Sequence, residues 1–221
     1  KLANGINNPI VQTYDRNKKV NSLYGLVSLS LDNSLFLDLT GRNDWSSTLP
    51  TANNSFFYPS ASASFILSEV AELPKAFSYA QLRASVAQVG NDTQPYQTSG
   101  AFISQTAYKG QPTFSNQNFI PNANLRPEQT TSYEVGADIR FLKDRIRLDA
   151  TYYNALTKDQ IISLPIAISS GYNQQVVNGG EVRSRGVEVI LGLTPVYKNN
   201  FRWEAQFNFS TNRATVEQLP T

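Results

Sequence analysis

The sequence predicts an all-β chain, an antiparallel up-and-down transmembrane β-barrel wall of about eight strands, on three observations. Stretch after stretch alternates apolar and polar residues with a period of two. None of the positions on the apolar sides carries a charge. The connections between stretches alternate short and long. The run from Phe201 to Phe209 is the clearest: Phe201, Trp203, Ala205, Phe207 and Phe209 point one way, and Arg202, Glu204, Gln206 and Asn208 the other.

In chain order, the first strand runs from Ser22 to Asp32, with Leu23, Val27, Leu29 and Leu31 on its apolar side. The tight turn Asp32-Asn33-Ser34 delivers the second, marked by Leu35, Leu37 and Leu39. A polar loop from Asn43 to Ser55 leads to the third, with Phe57, Ala61, Ala63, Phe65 and Leu67. Pro59 suits the first residues of that strand, where a missing ladder donor is tolerated. Glu69 to Ser78 is a moderate connection with room for one helical turn before Pro74, and the fourth strand follows with Leu82, Ala84 and Val86.

The longest connection, Gly90 to Pro127, precedes a fifth strand carrying Tyr133, Val135, Ala137, Ile139 and Phe141. After the tight turn from Leu142 to Arg145 comes the sixth, with Ile146, Leu148, Ala150 and Tyr152. A loop from Ala155 to Gly180 leads to the seventh, with Val187, Val189, Leu191 and Leu193, and a turn from Pro195 to Asn200 leads to the eighth. Neighbouring antiparallel strands reverse direction, so the short turns gather at one rim and the long loops at the other. Outer-membrane barrels are built this way.

The opposite sides of the strands carry Asp38, Arg42, Arg83, Glu134, Asp138, Arg140, Arg147, Asp149, Glu188 and Glu204 among hydroxyls and amides, a wetted surface. Of these, Asp38, Arg83, Glu134, Asp138, Asp149 and Glu188 are expected to face a lumen. Glu134, Asp138, Asp149 and Glu188 are expected to pair with Arg140, Arg147, Arg83 and Arg185. Aromatics near strand ends (Phe56, Phe57, Tyr58, Tyr79, Tyr133, Phe141, Tyr152, Tyr153, Phe201 and Trp203) read as interface girdles. A soluble ligand-binding sandwich shares the alternation. The long strands, the girdles and a polar side poor in Lys weigh against it.

Composition excludes more than it selects. No stretch approaches the ~20 apolar residues of a membrane-spanning helix, and the run from Ile161 to Ile168 is broken by Ser163 and Pro165. Without Cys or His there is no disulfide framework, and the usual zinc and copper ligands are missing, so no metal and no cofactor is expected. A net charge of +2, with Lys and Arg scattered among acids, gives no stripe for nucleic acid. Paired carboxylates on a wall lack the closed pocket hydrolysis requires, so no catalytic residue is assigned. The start at Lys1, without Met, reads as an internal piece of something longer.

The substrate-binding candidates lie at the long-loop rim. Trp45 can stack on a sugar ring or anchor at the lipid interface, the anchor being the simpler role. Gly90-Asn91-Asp92 and Ser170-Gly171-Tyr172-Asn173 read first as turns tolerant of positive φ. Asn91, Asp92 and Tyr172 are candidate carbohydrate contacts. Pro121 to Thr130 needs no ligand to be explained, because Pro127 holds Arg126 extended at the entry to a strand.

Several segments together resemble the barrel region of the SusC/RagA family of TonB-linked outer-membrane transporters of the Bacteroidetes. They are Gly41 to Pro50 (GRNDWSSTLP), Phe57 to Ser60 (FYPS), Leu82 to Ser85 running on to Gly90-Asn91-Asp92, Pro121 to Gly136 (PNANLRPEQTTSYEVG), Asp149 to Asn154 (DATYYN) and Gly180 to Glu188 (GEVRSRGVE). Their order along nearly the whole chain is the specific signal. The resemblance implies an eight-strand part of a larger barrel, about 22 strands in such transporters, that imports glycans, oligosaccharides or peptides beneath a SusD-like surface lipoprotein. It implies an internal plug through which the TonB system supplies energy, outer-membrane lipid around the wall, and a Gram-negative outer-membrane location. Residues 1 to 221 are then expected to be barrel domain only, with plug and TonB box elsewhere. The competing reading is a small closed barrel with a structural or adhesion role, since eight strands suffice for closure.

Overall fold

The computed structural model describes residues 15–198 and 200–220. Eight long strands form one sheet: β1 (Val20–Leu31), β2 (Leu35–Ser46), β3 (Ser55–Ile66), β4 (Phe77–Asn91), β8 (Glu128–Phe141), β9 (Ile146–Lys158), β12 (Glu181–Lys198) and β13 (Phe201–Gln218). Their spatial order is their sequence order, and every neighbouring pair is antiparallel. The up-and-down topology is therefore as the alternation predicts. β1 and β13 are not paired with each other, so the sheet is an open arc and not a closed small barrel.

The register shows why the alternation reads so cleanly. One ladder row crosses all eight strands through Leu31, Leu35, Phe65, Leu82, Ala137, Ala150, Val189 and Phe209. Directly paired residues share a face, so that face is apolar from edge to edge. A parallel row on the other face runs through Ser28, Asp38, Ser62, Ser85, Glu134, Tyr153, Gly186 and Asn212. Among the described residues no second sheet covers the apolar face: Leu29 is 55% exposed, Val135 55% and Phe207 59%. A sandwich would bury these residues.

The apolar row starts beside the β1–β2 turn at Leu31 and ends at Phe209, eight residues from the first residue of β13. A climb of eight residues at about 3.3 Å each, over seven strand spacings of about 4.8 Å, tilts the strands by roughly 40°. Membrane barrels require such a tilt.

The rims segregate as expected. At the short-turn rim, Asp32 and Asn33 adopt φ of 47° and 50°, and Leu142, Lys143 and Asp144 adopt 53°, 58° and 64°. The third connection carries α1 (Leu67–Val70), so Leu67 opens a helical turn and does not continue the third strand. Pro195 belongs to β12, where the register slips between Leu193 and Val196. A bulge is one of the few places a strand accepts proline, and β12 thus continues beyond the turn expected from Pro195.

The long connections are not plain loops. The first holds a hairpin of β5 (Phe102–Tyr108) and β6 (Gln111–Asn116), and β7 (Phe119–Ile120). The second holds β10 (Ile161–Pro165) and β11 (Gln174–Asn178). β10 pairs antiparallel with β11, and β11 pairs parallel with β7, which stitches the two connections together. The buried cluster lies at this rim and not under the sheet: Leu125 is 0% exposed and Val176 2%, joined by Leu49 of the β2–β3 connection at 5%, with Phe56, Phe119 and Ile161 packed against them.

Candidate polar face and loop platform

Asp38, Arg83, Glu134, Asp138, Asp149 and Glu188 all lie on the polar face, because the register places each in a row of that parity. Arg83 shows how the face is assembled. In its row stand Gly136 and Thr151 on the next two strands. A Cβ on Gly136 would come within 2.7 Å of Arg83 Nε and 3.1 Å of the Ala150 carbonyl. Without it, the guanidinium lies across β8, donating from Nη1 to Asp149 Oδ2 at 2.9 Å, from Nη2 to Asp149 Oδ1, and to Thr151 Oγ1 at 2.8 Å. The missing side chain permits a two-pronged ion pair that spans three strands.

Asp138 and Asp149 are cross-strand partners, a repulsive placement unless each is neutralised. Asp149 has Arg83, and Asp138 has Arg140 at 2.8 Å. Arg140 also covers the ring of Tyr79 at 4.6 Å, whose hydroxyl donates to Gln81 Oε1 at 2.9 Å. The other expected pairings do not form among the described residues. Arg185 shares the face of Val187, turned away from Glu188, and Arg147 donates to the Asp144 carbonyl at 3.3 Å. Glu134 and Glu188 make no ion pair among the described residues. Glu134 instead lines a recess of about 280 Å³ with Asp38, Ser62, Gln81, Arg83 and Ser85. Its hydroxyl, amide, carboxylate and guanidinium groups can hydrogen-bond a polar solute, beside an apolar part formed by Phe36, Ala63 and Ala84.

Four of the aromatics assigned to girdles belong to the polar face: Phe56, Tyr58, Tyr79 and Tyr153. Two of the phenols are tied to polar partners, Tyr58 donating to Asp44 and Tyr79 to Gln81. Tyr153 lies over Gly186, where an added Cβ would meet its ring. Phe57, Tyr133, Tyr152, Phe141, Phe201 and Trp203 lie on the apolar face, as a girdle requires.

The rim candidates do not converge. Trp45 is 40% exposed and has the parity of Leu35 and Leu39, so it extends the apolar face and not the polar one. Asp92 accepts from Ser46 Oγ, from Thr48 Oγ1 at 3.2 Å and from Lys18 Nζ, which consumes its carboxylate. Gly90 and Asn91 are β4 residues without positive φ, so the turn expected there is absent. Asn91 Nδ2 donates to Glu128 Oε2 at 3.0 Å. Tyr172 follows Gly171, whose φ of 82° ends a 3₁₀ turn over Ile168–Ser170. No hydrogen bond joins any two of Trp45, Asn91, Asp92 and Tyr172 among the described residues.

The segment Pro121 to Thr130 locks the loops to the wall. Leu125 fills the loop core, and Asn53 Nδ2 donates to the Leu125 carbonyl at 3.1 Å. Asn178 clamps Arg126 as a strand would, accepting its N–H at 2.8 Å and donating to its carbonyl at 2.8 Å. Arg126 pairs with Asp159 at 2.7 Å, and Glu128 accepts the Ile161 N–H at 2.8 Å. Nothing in the sequence marks Asn53 or Asn178, since long-range partners of an amide leave no local pattern. Leu125, alone among polar residues, was the available signal.

The family model described as TonB dependent receptor-like, beta-barrel matches residues 2–220. TonB-dependent receptor P26 of Formosa agariphila is 29% identical over 206 residues, covering 91% of this chain and 21% of the relative. TonB-dependent receptor SusC of Bacteroides thetaiotaomicron is 29% identical over 99 residues, covering 44% of this chain and 10% of the relative. The solved RagAB peptide transporter superposes with a TM-score of 0.84 at 22% identity, over 91% of this chain and 22% of that one, a likeness of fold. The chain spans about a fifth of the length of P26. These matches bear out the resemblance read from the ordered motifs, and the relatives are named receptors, not enzymes. With nearly all of its residues matched, and with the tilted two-faced sheet such a wall needs, the chain belongs to the TonB dependent receptor-like β-barrel family.

Proposed function

We propose that the chain forms part of the wall and the outward loops of an outer-membrane nutrient importer. The observation that carries this is the two-faced open sheet: a face for lipid whose middle rows are apolar and uncharged, a hydroxyl- and ion-pair-lined face for an aqueous path, and two edges, unpaired among the described residues, that further strands would extend. Asp38, Arg83, Glu134, Asp138, Asp149 and Glu188 then face the lumen, and Glu134 with the recess around it is an inner contact for a polar solute. The stitched loops form the floor of the vestibule, and a SusD-like lipoprotein closes over it. Energy enters through a plug contacted by TonB, outside residues 1 to 221. Glycans, oligosaccharides or peptides are the substrate class. No catalysis is assigned, and Trp45 serves as a lipid anchor.

Uptake by cells carrying the full-length protein tests this reading. Labelled oligosaccharides and labelled peptides should each be assayed with the protein intact, with TonB removed, and with the neighbouring lid lipoprotein removed. Accumulation of one class, lost in both deletions, is the expected result. Uptake of neither class, or uptake indifferent to TonB, counts against it.

A further inference from the structure

Arg185 and Arg213 stand directly opposite one another on β12 and β13, with Asn154 of β9 in the same row. Like charges in that placement repel. Both are exposed, and neither makes an ion pair or a side-chain hydrogen bond among the described residues. Their neighbour Arg183, two residues on, is satisfied by Glu217 and by Asn154 Oδ1 at 3.2 Å. The unmatched pair has the parity of Val187, Val189 and Phe209, which puts it on the apolar face.

Along these strands the face changes in a fixed sequence. Ala150, Val189 and Phe209 form one row, Tyr152, Val187 and Thr211 the next, and Asn154, Arg185 and Arg213 the next. Two rows of strand rise about 13 Å, from hydrocarbon-type residues through an aromatic to cations, toward the long-loop rim. That is the order of acyl chain, interface and headgroup.

We propose that Arg185 and Arg213 together bind the phosphate of an anionic lipid headgroup in the leaflet at the long-loop rim. A phosphate oxygen set between two guanidinium forks satisfies both and removes the repulsion between them. Its acyl chains would lie on the apolar rows below, so the cation pair continues the lipid-facing surface. The inference rests on the wall spanning a bilayer.

The test uses the full-length protein reconstituted into phosphatidylcholine vesicles containing a minor fraction of either phosphatidic acid or diacylglycerol with the same chains. After detergent extraction, retained lipid is counted by native mass spectrometry. Phosphatidic acid should be retained and diacylglycerol not. R185Q/R213Q should lower retention by about thirty-fold, the product of two headgroup attractions, whereas R185K/R213K, which keeps both charges without the forks, should lose less than the double Gln variant. The gel shift of the folded barrel on heating verifies that each variant is inserted. Equal retention of the two lipids, or an unchanged double Gln variant, overturns the lipid site. Displacement by equimolar inorganic phosphate would make it a free-anion site and overturn it too. Failure of the unaltered protein to insert overturns the bilayer reading itself, a result distinct from insertion without lipid discrimination.

Discussion

Gly136 carries no side chain, and its neighbours use the space. Gly136→Ala should push the Arg83 guanidinium off Asp149 and press on the Ala150 carbonyl, costing about 1 to 3 kcal/mol. Urea titration of the barrel folded into lipid vesicles would measure it, and Arg83→Ala combined with Gly136→Ala should cost little more than either alone. A second contrast concerns the faces. Leu148→Arg, on the apolar face, should cost roughly 2 to 4 kcal/mol if it sits near the bilayer midplane. Asp149→Asn removes a half-exposed ion pair and should cost less than about 1 kcal/mol. Equal costs at the two positions would refute the assignment of faces. The parity behind this contrast was legible in the sequence. The partners were legible only in part: Asp149 takes Arg83 as expected, but Asp138 takes Arg140, because pairing depends on which arginine a bare glycine lets across a strand and on which lies nearest on the same strand.

At the scale of elements, strand identity and order were readable because each strand has one uncharged side and hairpin neighbours close in sequence. The loop strands were not. β7 and β11 meet only because Leu125, Val176 and Leu49 form a common core, and five-residue strands such as β10 and β11 carry too few alternations to register. Burial of Leu125 is complete, so Leu125→Ala should cost about 2 to 5 kcal/mol. The cost should fall on the loop platform and leave the wall intact. Hydrogen exchange should speed up in residues of β7, β10 and β11 while amides of β8 and β9 keep their protection. Pro59 illustrates the same division: the β3–β4 ladder ends at Ser60, just where the proline lacks a donor, and Phe56 beyond it turns to the loop core.

For the whole molecule, the decisive fact is that among the described residues β1 and β13 each present an unpaired edge. Produced alone in detergent, these 221 residues should associate through those edges, giving assemblies larger than one copy by light scattering. A stable monomer with a closed ladder between β1 and β13 would show that the open arc is wrong. The tilt of the ladder rows reaches further. A solute moving from the loop rim along the polar row passes from Glu134 to Ser85, Ser62, Asp38 and Ser28. Each step carries it one strand sideways and about one residue down toward the short turns. The inner surface is thus a spiral ramp, along which descent and rotation are coupled. Positions at one depth in the membrane must likewise be chosen by shifting about one residue per strand, since residues facing each other across the ladder sit at different heights.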